Sequence, residues 1–83
     1  MGGSMEKGLV VCSKAGSDKG SFLAVVDFTD TAVRVCDGKR YKLSRPKLKI
    51  LKHIGVTNTV LCEKDLLTDK ALRTALCCYR SKL

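Results

Sequence analysis

The feature that most constrains the fold is a series of three short apolar runs, each bounded by turn-forming residues. The runs cover residues 9–13, 21–28 and 32–36. The third run alternates, with Val33 and Val35 on one face and Arg34 on the other, which is the period-two pattern of a half-buried strand. The first two are bounded by glycines and short polar residues, so we interpret them as strands joined by a tight loop. The chain is therefore predicted to be mainly β.

A two-residue turn is predicted directly after the third run. Asp37-Gly38 is the dipeptide that best tolerates positive φ in a hairpin, and the return strand would cover residues 39–43. Period-two alternation then gives each side chain a face. The inward residues would be Tyr41 and Leu43, and the outward residues Arg40 and Lys42.

The segment after Pro46 has two interpretations. Leu48 and Ile50 alternate with lysines before the pattern slips at Leu51, which favours a bulged strand over residues 47–54 with the lysines facing solvent. The spacing of Leu48, Leu51 and Ile54 would also suit a short helix. After it we expect a turn at residues 55–58 and a short edge strand near 59–62.

A C-terminal helix is predicted over residues 69–82. Thr68 is a suitable N-cap, Asp69 is favourably placed in the first turn, and Leu67 could contact Leu72 as a hydrophobic staple. The apolar stripe of this helix consists of Leu72, Ala75, Leu76 and Tyr79. Because isolated helices this short are marginal in water, we expect it to dock on the strands.

A chain of 83 residues accommodates one domain and leaves too little core for a deep catalytic cleft. We interpret residues 1–4 (Met-Gly-Gly-Ser) as a cloning remnant and residues 5–83 as the domain, starting at Met5. The first residues lack the basic start and apolar stretch of a signal peptide, and no apolar run reaches the length of a bilayer, so we expect neither a signal peptide nor a membrane span. We expect a cytoplasmic protein without a membrane partner, monomeric when free.

The positive charge of the chain is concentrated in one segment. The formal net charge is +8, and residues 39–53 carry seven basic side chains and no acidic one. The seven are Lys39, Arg40, Lys42, Arg45, Lys47, Lys49 and Lys52. Strand faces with such a charge can line a phosphate backbone, although a merely solvated face is the alternative.

The glycine-bounded loop at residues 16–20 does not bind nucleotide in the Walker manner, because Lys19 precedes Gly20 instead of following it. The loop can still offer Lys14, Lys19 and backbone N–H groups to a phosphate. Catalysis is not expected, since the single histidine, His53, has no acidic neighbour in sequence to orient it.

The five cysteines form no C-x-x-C pair and are odd in number, so the sequence predicts neither a disulfide framework nor a zinc site. Cys12 and Cys36 lie in apolar runs, where a free cysteine acts as a small buried hydrophobe. Cys77 and Cys78 on the helix are expected to combine packing with one exposed thiol. No metal or cofactor is predicted.

Residues 10–20, followed by 22–26, resemble a KOW motif, which is a strand, a basic loop with glycine, and a second strand. Residues 35–39 and the basic segment 45–53 are similar to a bacterial KOW-domain family, itself similar to the fourteenth large-subunit ribosomal protein of archaea and eukaryotes. The similarity covers residues 7–58 and, more loosely, the terminal helix. Four positions match the motif itself: Lys14, Asp18, Lys19 and Gly20. The cysteine-rich tail departs from the family pattern.

This resemblance implies an SH3-like β-barrel of about five strands that binds ribosomal or similarly structured RNA without catalysis. The predicted contacts with RNA come from Lys14, Lys19, Arg40, Lys42, Arg45, Lys47, Lys49 and Lys52. Recognition would depend on the shape of the RNA, because side chains reach its backbone and shallow groove more readily than its base edges. The alternative is an SH3-like protein-interaction module in transcription or translation, since one fold serves both purposes.

Overall fold

The computed structural model describes residues 5–16 and 19–82. In these residues the strands are β1 (Leu9–Ser13), β2 (Phe22–Phe28), β3 (Ala32–Cys36), β4 (Lys47–Ile50) and β5 (Ile54–Val60), and the α-helix is α1 (Asp69–Ser81). Two 3-10 helices are Leu51–His53, between β4 and β5, and Glu63–Leu66, before α1. The predicted mainly β fold with a C-terminal helix is confirmed. The interpretation of residues 1–4 and the motif position Asp18 lie outside the described residues.

The five strands form a single antiparallel sheet in the order β4-β3-β2-β1-β5. The first three strands match the predicted apolar runs to within one residue. The register shifts between Leu9 and Val11 in the β1–β5 pair, and between Val25 and Asp27 in the β2–β3 pair. Irregularities of this kind increase the local twist and bend a sheet.

Apolar side chains are buried on both sides of the sheet. Leu9 and Val11 of β1 belong to a cluster on the side without the helix, which we call the inner side. Val10 between them packs on the opposite side, beneath the helix. The other members of the inner cluster are Leu23, Val25, Val33, Val35 and Ile54. The other members of the helix-side cluster are Ala24, Cys36, Leu72 and Leu76. Burial on both faces explains why the run in β1 is continuously apolar instead of alternating.

The sheet is strongly curled, because its two outermost strands are joined by a very short link. Neighbouring strands lie about 4.8 Å apart, so β4 and β5 would be about 19 Å apart in a flat sheet of this order. The link between them is the 3-residue 3-10 helix Leu51–His53, and at about 2 Å per residue it spans only about 6 Å. The ammonium of Lys49 on β4 accordingly reaches Ser13 at the end of β1, two strands beyond its sheet neighbour.

The predicted hairpin after Cys36 is wrong. Residues 39–43 form bends and turns instead of a strand. The strand that pairs with β3 is β4, and the loop 37–46 connects the two. The Asp37 carboxylate folds this loop by accepting hydrogen bonds from the N–H groups of Lys39 and Tyr41, both at 2.9 Å. Gly38 does have a positive φ, 77°, as the Asp-Gly dipeptide suggested. This φ belongs to the turn that the Asp37 carboxylate closes and not to a two-residue hairpin. The predicted faces are met in part, since Arg40 and Lys42 are exposed and Tyr41 and Leu43 are half-buried.

The predicted structure between residues 47 and 60 needs three corrections. The strand ends at Ile50, and the slip in the pattern at Leu51 marks the start of a 3-10 helix. The faces of β4 are reversed, because pairing sets Lys49 opposite Val33 on the inner side, while Leu48 and Ile50 are 60% and 50% exposed. The predicted turn at 55–58 is part of β5, which pairs with β1. Edge strands have a neighbour on one side only, so local alternation does not determine their inner face.

The C-terminal helix agrees closely with its prediction. The Thr68 side chain accepts a hydrogen bond from the N–H of Ala71 at 3.1 Å, as an N-cap should. Leu72 and Leu76 are buried against the sheet. The predicted staple is wrong, since Leu67 is 75% exposed and Leu66 packs on the core in its place. In the described part of the chain, neither this helix nor any other is both long and apolar enough to cross a bilayer.

Candidate nucleic-acid interface

The loop between β1 and β2 is held at both ends by backbone hydrogen bonds. Ser13 N–H donates to the carbonyl of Ser21 at 2.9 Å, and Gly20 N–H donates to the carbonyl of Ser13 at 2.8 Å. The Ser13 hydroxyl is buried and donates to the carbonyl of Ala15 at 3.0 Å. Lys14 and Lys19, both predicted to contact phosphate, are exposed on this loop. The fold therefore presents their charges from an anchored loop.

Lys49 connects this loop to β4. Its ammonium donates to the Ser13 hydroxyl oxygen and to the Ala15 carbonyl, both at 3.3 Å. The side chain is half-buried, so its predicted position on a solvent face is wrong. The register explains this, because Lys49 is paired with Val33, whose side chain faces the inner cluster. A direct contact of Lys49 with RNA stays a prediction.

The 3-10 helix Leu51–His53 adjoins the same loop. Lys14 N–H donates to the His53 carbonyl at 2.8 Å. The Lys14 side chain lies over Gly55, so closely that a Cβ added to Gly55 would be 2.8 Å from the Cε atom of Lys14. Lys52 precedes His53 and is exposed. Four of the predicted residues are thus gathered around the end of β1, and we call them the loop group: Lys14, Lys19, Lys49 and Lys52.

Three further predicted residues are exposed on the loop 37–46, which docks on the start of α1. They are Arg40, Lys42 and Arg45. The N–H of Leu43 donates to the Asp69 carboxylate at 2.7 Å, which fixes the loop to the first turn of the helix. Lys47 is exposed where this loop enters β4, opposite Val35. The basic segment therefore forms two groups joined by β4, not the single strand face that was predicted.

The acidic residues near these groups are occupied by the backbone. Asp37 accepts two N–H bonds within its own loop, and Asp69 accepts the N–H of Leu43. Asp27 lies near the end of β2, and Asp30 lies in the β2–β3 connection, whose Thr31 carbonyl accepts a hydrogen bond from the N–H of Leu51 at 3.0 Å. These carboxylates keep their negative charge, so they compensate the exposed cations of residues 39–53 in part, and the remaining excess of positive charge favours a polyanion.

The cysteines show one strongly perturbed group. Burial, together with the nearby negative charges of Asp69 and Asp37, raises the pKa of the Cys36 thiol from 9.0 to about 12. Cys36 is therefore an inert packing residue, as predicted, whereas Cys12 is only half-buried. The other three cysteines are exposed: Cys62, Cys77 and Cys78. Within residues 5–16 and 19–82, no group of three or more metal-binding side chains occurs.

Sequence reasoning missed two arginines of the helix. Arg73 and Arg80 are exposed and line a cleft together with Lys39 of the docked loop. Their spacing of seven residues, which places side chains on one helix face, was the available signal. It could not show which loop would lie opposite them.

Neither a protein-family model nor a curated protein sequence matches this chain.

Proposed function

We propose that this protein is a non-catalytic RNA-binding protein with an SH3-like β-barrel, that it works in the cytoplasm, and that it associates with ribosomal RNA. The observation that carries the proposal is the convergence of the loop group around one anchored loop, next to a basic segment without acidic residues. Phosphate contacts from such groups dominate the affinity of proteins for nucleic acids.

The curl of the sheet supports the barrel. A 3-residue link joins the two edge strands, and Lys49 bonds to the end of β1 across the inner side. The apolar inner cluster fills the space that the curl encloses. Such a barrel leaves its loops and its open edge free for a ligand.

The exposed members of the two basic groups would contact phosphates directly. Lys14, Lys19 and Lys52 would do so from the loop group, and the loop 37–46 would extend the surface towards the helix. Lys49 has a different role, because its ammonium already bonds to Ser13 and Ala15. It would hold the β1–β2 loop in its RNA-binding conformation.

The test compares two sets of substitutions that remove equal charge. One variant replaces Lys14, Lys19, Lys47 and Lys52 by Gln, and the matched control replaces Lys7, Arg34, Lys64 and Lys70. All of these side chains are exposed, so both variants should keep the thermal stability of the native chain. At about 1 kcal/mol per lost contact, the first variant should bind a structured ribosomal RNA fragment at least about a hundredfold more weakly.

Fluorescence anisotropy at several salt concentrations measures this difference. For the native chain, log affinity should fall linearly with log salt, by about 0.7–0.9 for each neutralised phosphate. Equal weakening in both variants would show diffuse attraction without a defined site. Sedimentation of the native chain with ribosomes at low and high salt tests the ribosomal assignment separately.

A second candidate function is a protein-interaction module, favoured by the apolar side chains on the exposed edge strand. Leu48 and Ile50 of β4 are 60% and 50% exposed on the same face. An extended peptide can add to such an edge and place its side chains against them. Native RNA affinity in both charge variants would move the assignment to this function.

A further inference from the structure

A cleft lies on the helix side of the molecule. It is bounded by the start of β2, by the loop 37–46 and by the outward face of α1. Its volume of about 620 Å³ is within the range of about 300–1,000 Å³ that is typical of small-molecule sites. None of the eight residues predicted from sequence lines it.

The rim of this cleft carries three cations. Arg73 and Arg80 come from the helix, and Lys39 comes from the loop opposite them. The carboxylate of Asp37 also lines the cleft, but its Oδ1 atom accepts hydrogen bonds from the N–H groups of Lys39 and Tyr41. The charge of the rim therefore favours an anion, and arginine binds phosphate oxygens through two parallel hydrogen bonds.

The floor of the cleft is apolar. Leu76 is buried there, and the half-buried Phe22 ring lines the cleft while it packs edge-on against Tyr79 with a centroid distance of 5.1 Å. A ligand that offered only phosphates would gain nothing from this floor. A nucleotide with its base unstacked offers both an anion for the rim and a flat apolar ring for the floor.

We propose that this cleft binds one unpaired nucleotide of the RNA, with its phosphate at Arg73, Arg80 and Lys39 and its base against Phe22. This inference rests on the proposed RNA-binding function and adds a base-dependent contact to the phosphate contacts of the loop group. The protein would then prefer RNA with a bulged nucleotide over a continuous duplex.

The exposed thiols allow the proposal to be tested by protection of a cysteine from alkylation. Cys77 lines the cleft, whereas Cys62 is exposed and lies outside it. The native chain is treated with N-ethylmaleimide alone, with a 20-base-pair RNA stem that carries one bulged uridine, and with the same stem without the bulge. The bulged RNA should slow alkylation of Cys77 by about tenfold or more and leave Cys62 unaffected. Anisotropy under the same conditions reports binding independently.

A charge variant gives the second readout. Replacing Arg73 and Arg80 by Gln should abolish the preference for the bulged stem, while replacing Lys64 and Lys70 should preserve it. Binding of RNA without protection of Cys77 would overturn this inference and leave the proposed function standing. Absence of RNA binding would overturn both. If an oligoglutamate of the same charge protected Cys77 equally well, the inference would be overturned, and an acidic protein segment would be the ligand of the cleft.

Discussion

Replacing Gly38 by Ala should destabilise the protein severely, because this glycine joins the basic loop to the helix. Its φ of 77° lies in the left-handed region, where a side chain costs about 1–2 kcal/mol. A Cβ at this position would also clash with the carbonyl oxygen of Asp69 and lie 3.0 Å from the backbone nitrogen of Arg73. Both atoms belong to backbone, so the loop and the helix would have to separate.

The magnitude follows from two destabilising terms and one opposing term. Displacing packed backbone typically costs about 1–3 kcal/mol, which adds to the cost of the positive φ. Alanine also lowers the entropy of the unfolded chain relative to glycine, which offsets about 0.4–1 kcal/mol. The expected net loss is about 3 kcal/mol, and for a domain of this size the melting temperature should fall by more than about 10 °C.

Gly20 supplies the matched control. It has a similar φ of 89°, but beyond its two chain neighbours no atom of the described residues lies within 4 Å of the position that a Cβ would take. Gly20→Ala should therefore cost only the conformational term, about 1 kcal/mol. Urea titrations of the two variants measure the difference. Equal losses of unfolding free energy would refute the claim that the loop is docked against the first turn of the helix.

Two further predictions follow from buried polar groups. Lys49→Met should lower the unfolding free energy by about 1–2 kcal/mol and weaken RNA binding. The slope of log affinity against log salt should stay at its native value, because the Lys49 ammonium bonds to protein atoms and not to phosphate. Anisotropy titrations check this, and a slope reduced by about 0.7–0.9 would show a direct phosphate contact instead. For Cys36, the pKa raised to about 12 means that the folded chain retains a thiol proton that the unfolded chain loses above pH 9.0. The unfolding free energy of the native chain should therefore fall relative to Cys36→Ala as pH rises from about 9 towards 12, by at most about 1.4 kcal/mol per pH unit. Parallel pH profiles from urea titrations would contradict this.

The elements that the sequence predicts well are those whose pattern and surroundings agree. The run at β1 is apolar throughout because both of its faces are covered, and Thr68 determines the helix start through its own hydrogen bond to Ala71. Such local signals remain valid in the fold. Of the eight basic residues predicted to contact RNA, seven are exposed, and the contact itself stays a prediction.

The failures occur where a distant partner decides the structure. Asp37-Gly38 has the composition of a hairpin turn, yet Gly38 is required for contact with Asp69, which is 31 positions away. The inward direction of Lys49 depends on its pairing with Val33 and on the curl that brings Ser13 within reach. Neither partner is identifiable from a local window, because only the tertiary fold places them together.

The position of Lys49 also explains how a sheet this small can anchor the start of the loop that we propose contacts phosphate. A lysine on an edge strand ordinarily faces solvent and keeps another chain from pairing with the edge. Here the ammonium points inward and bonds to the loop that carries Lys14, so the curl of the sheet and the conformation of the loop depend on each other. RNA that binds Lys14 and Lys19 would then stabilise the curled sheet, and the melting temperature should rise with RNA concentration. That rise should be smaller in Lys49→Met, because the link between loop and sheet is removed while both flanking cations remain.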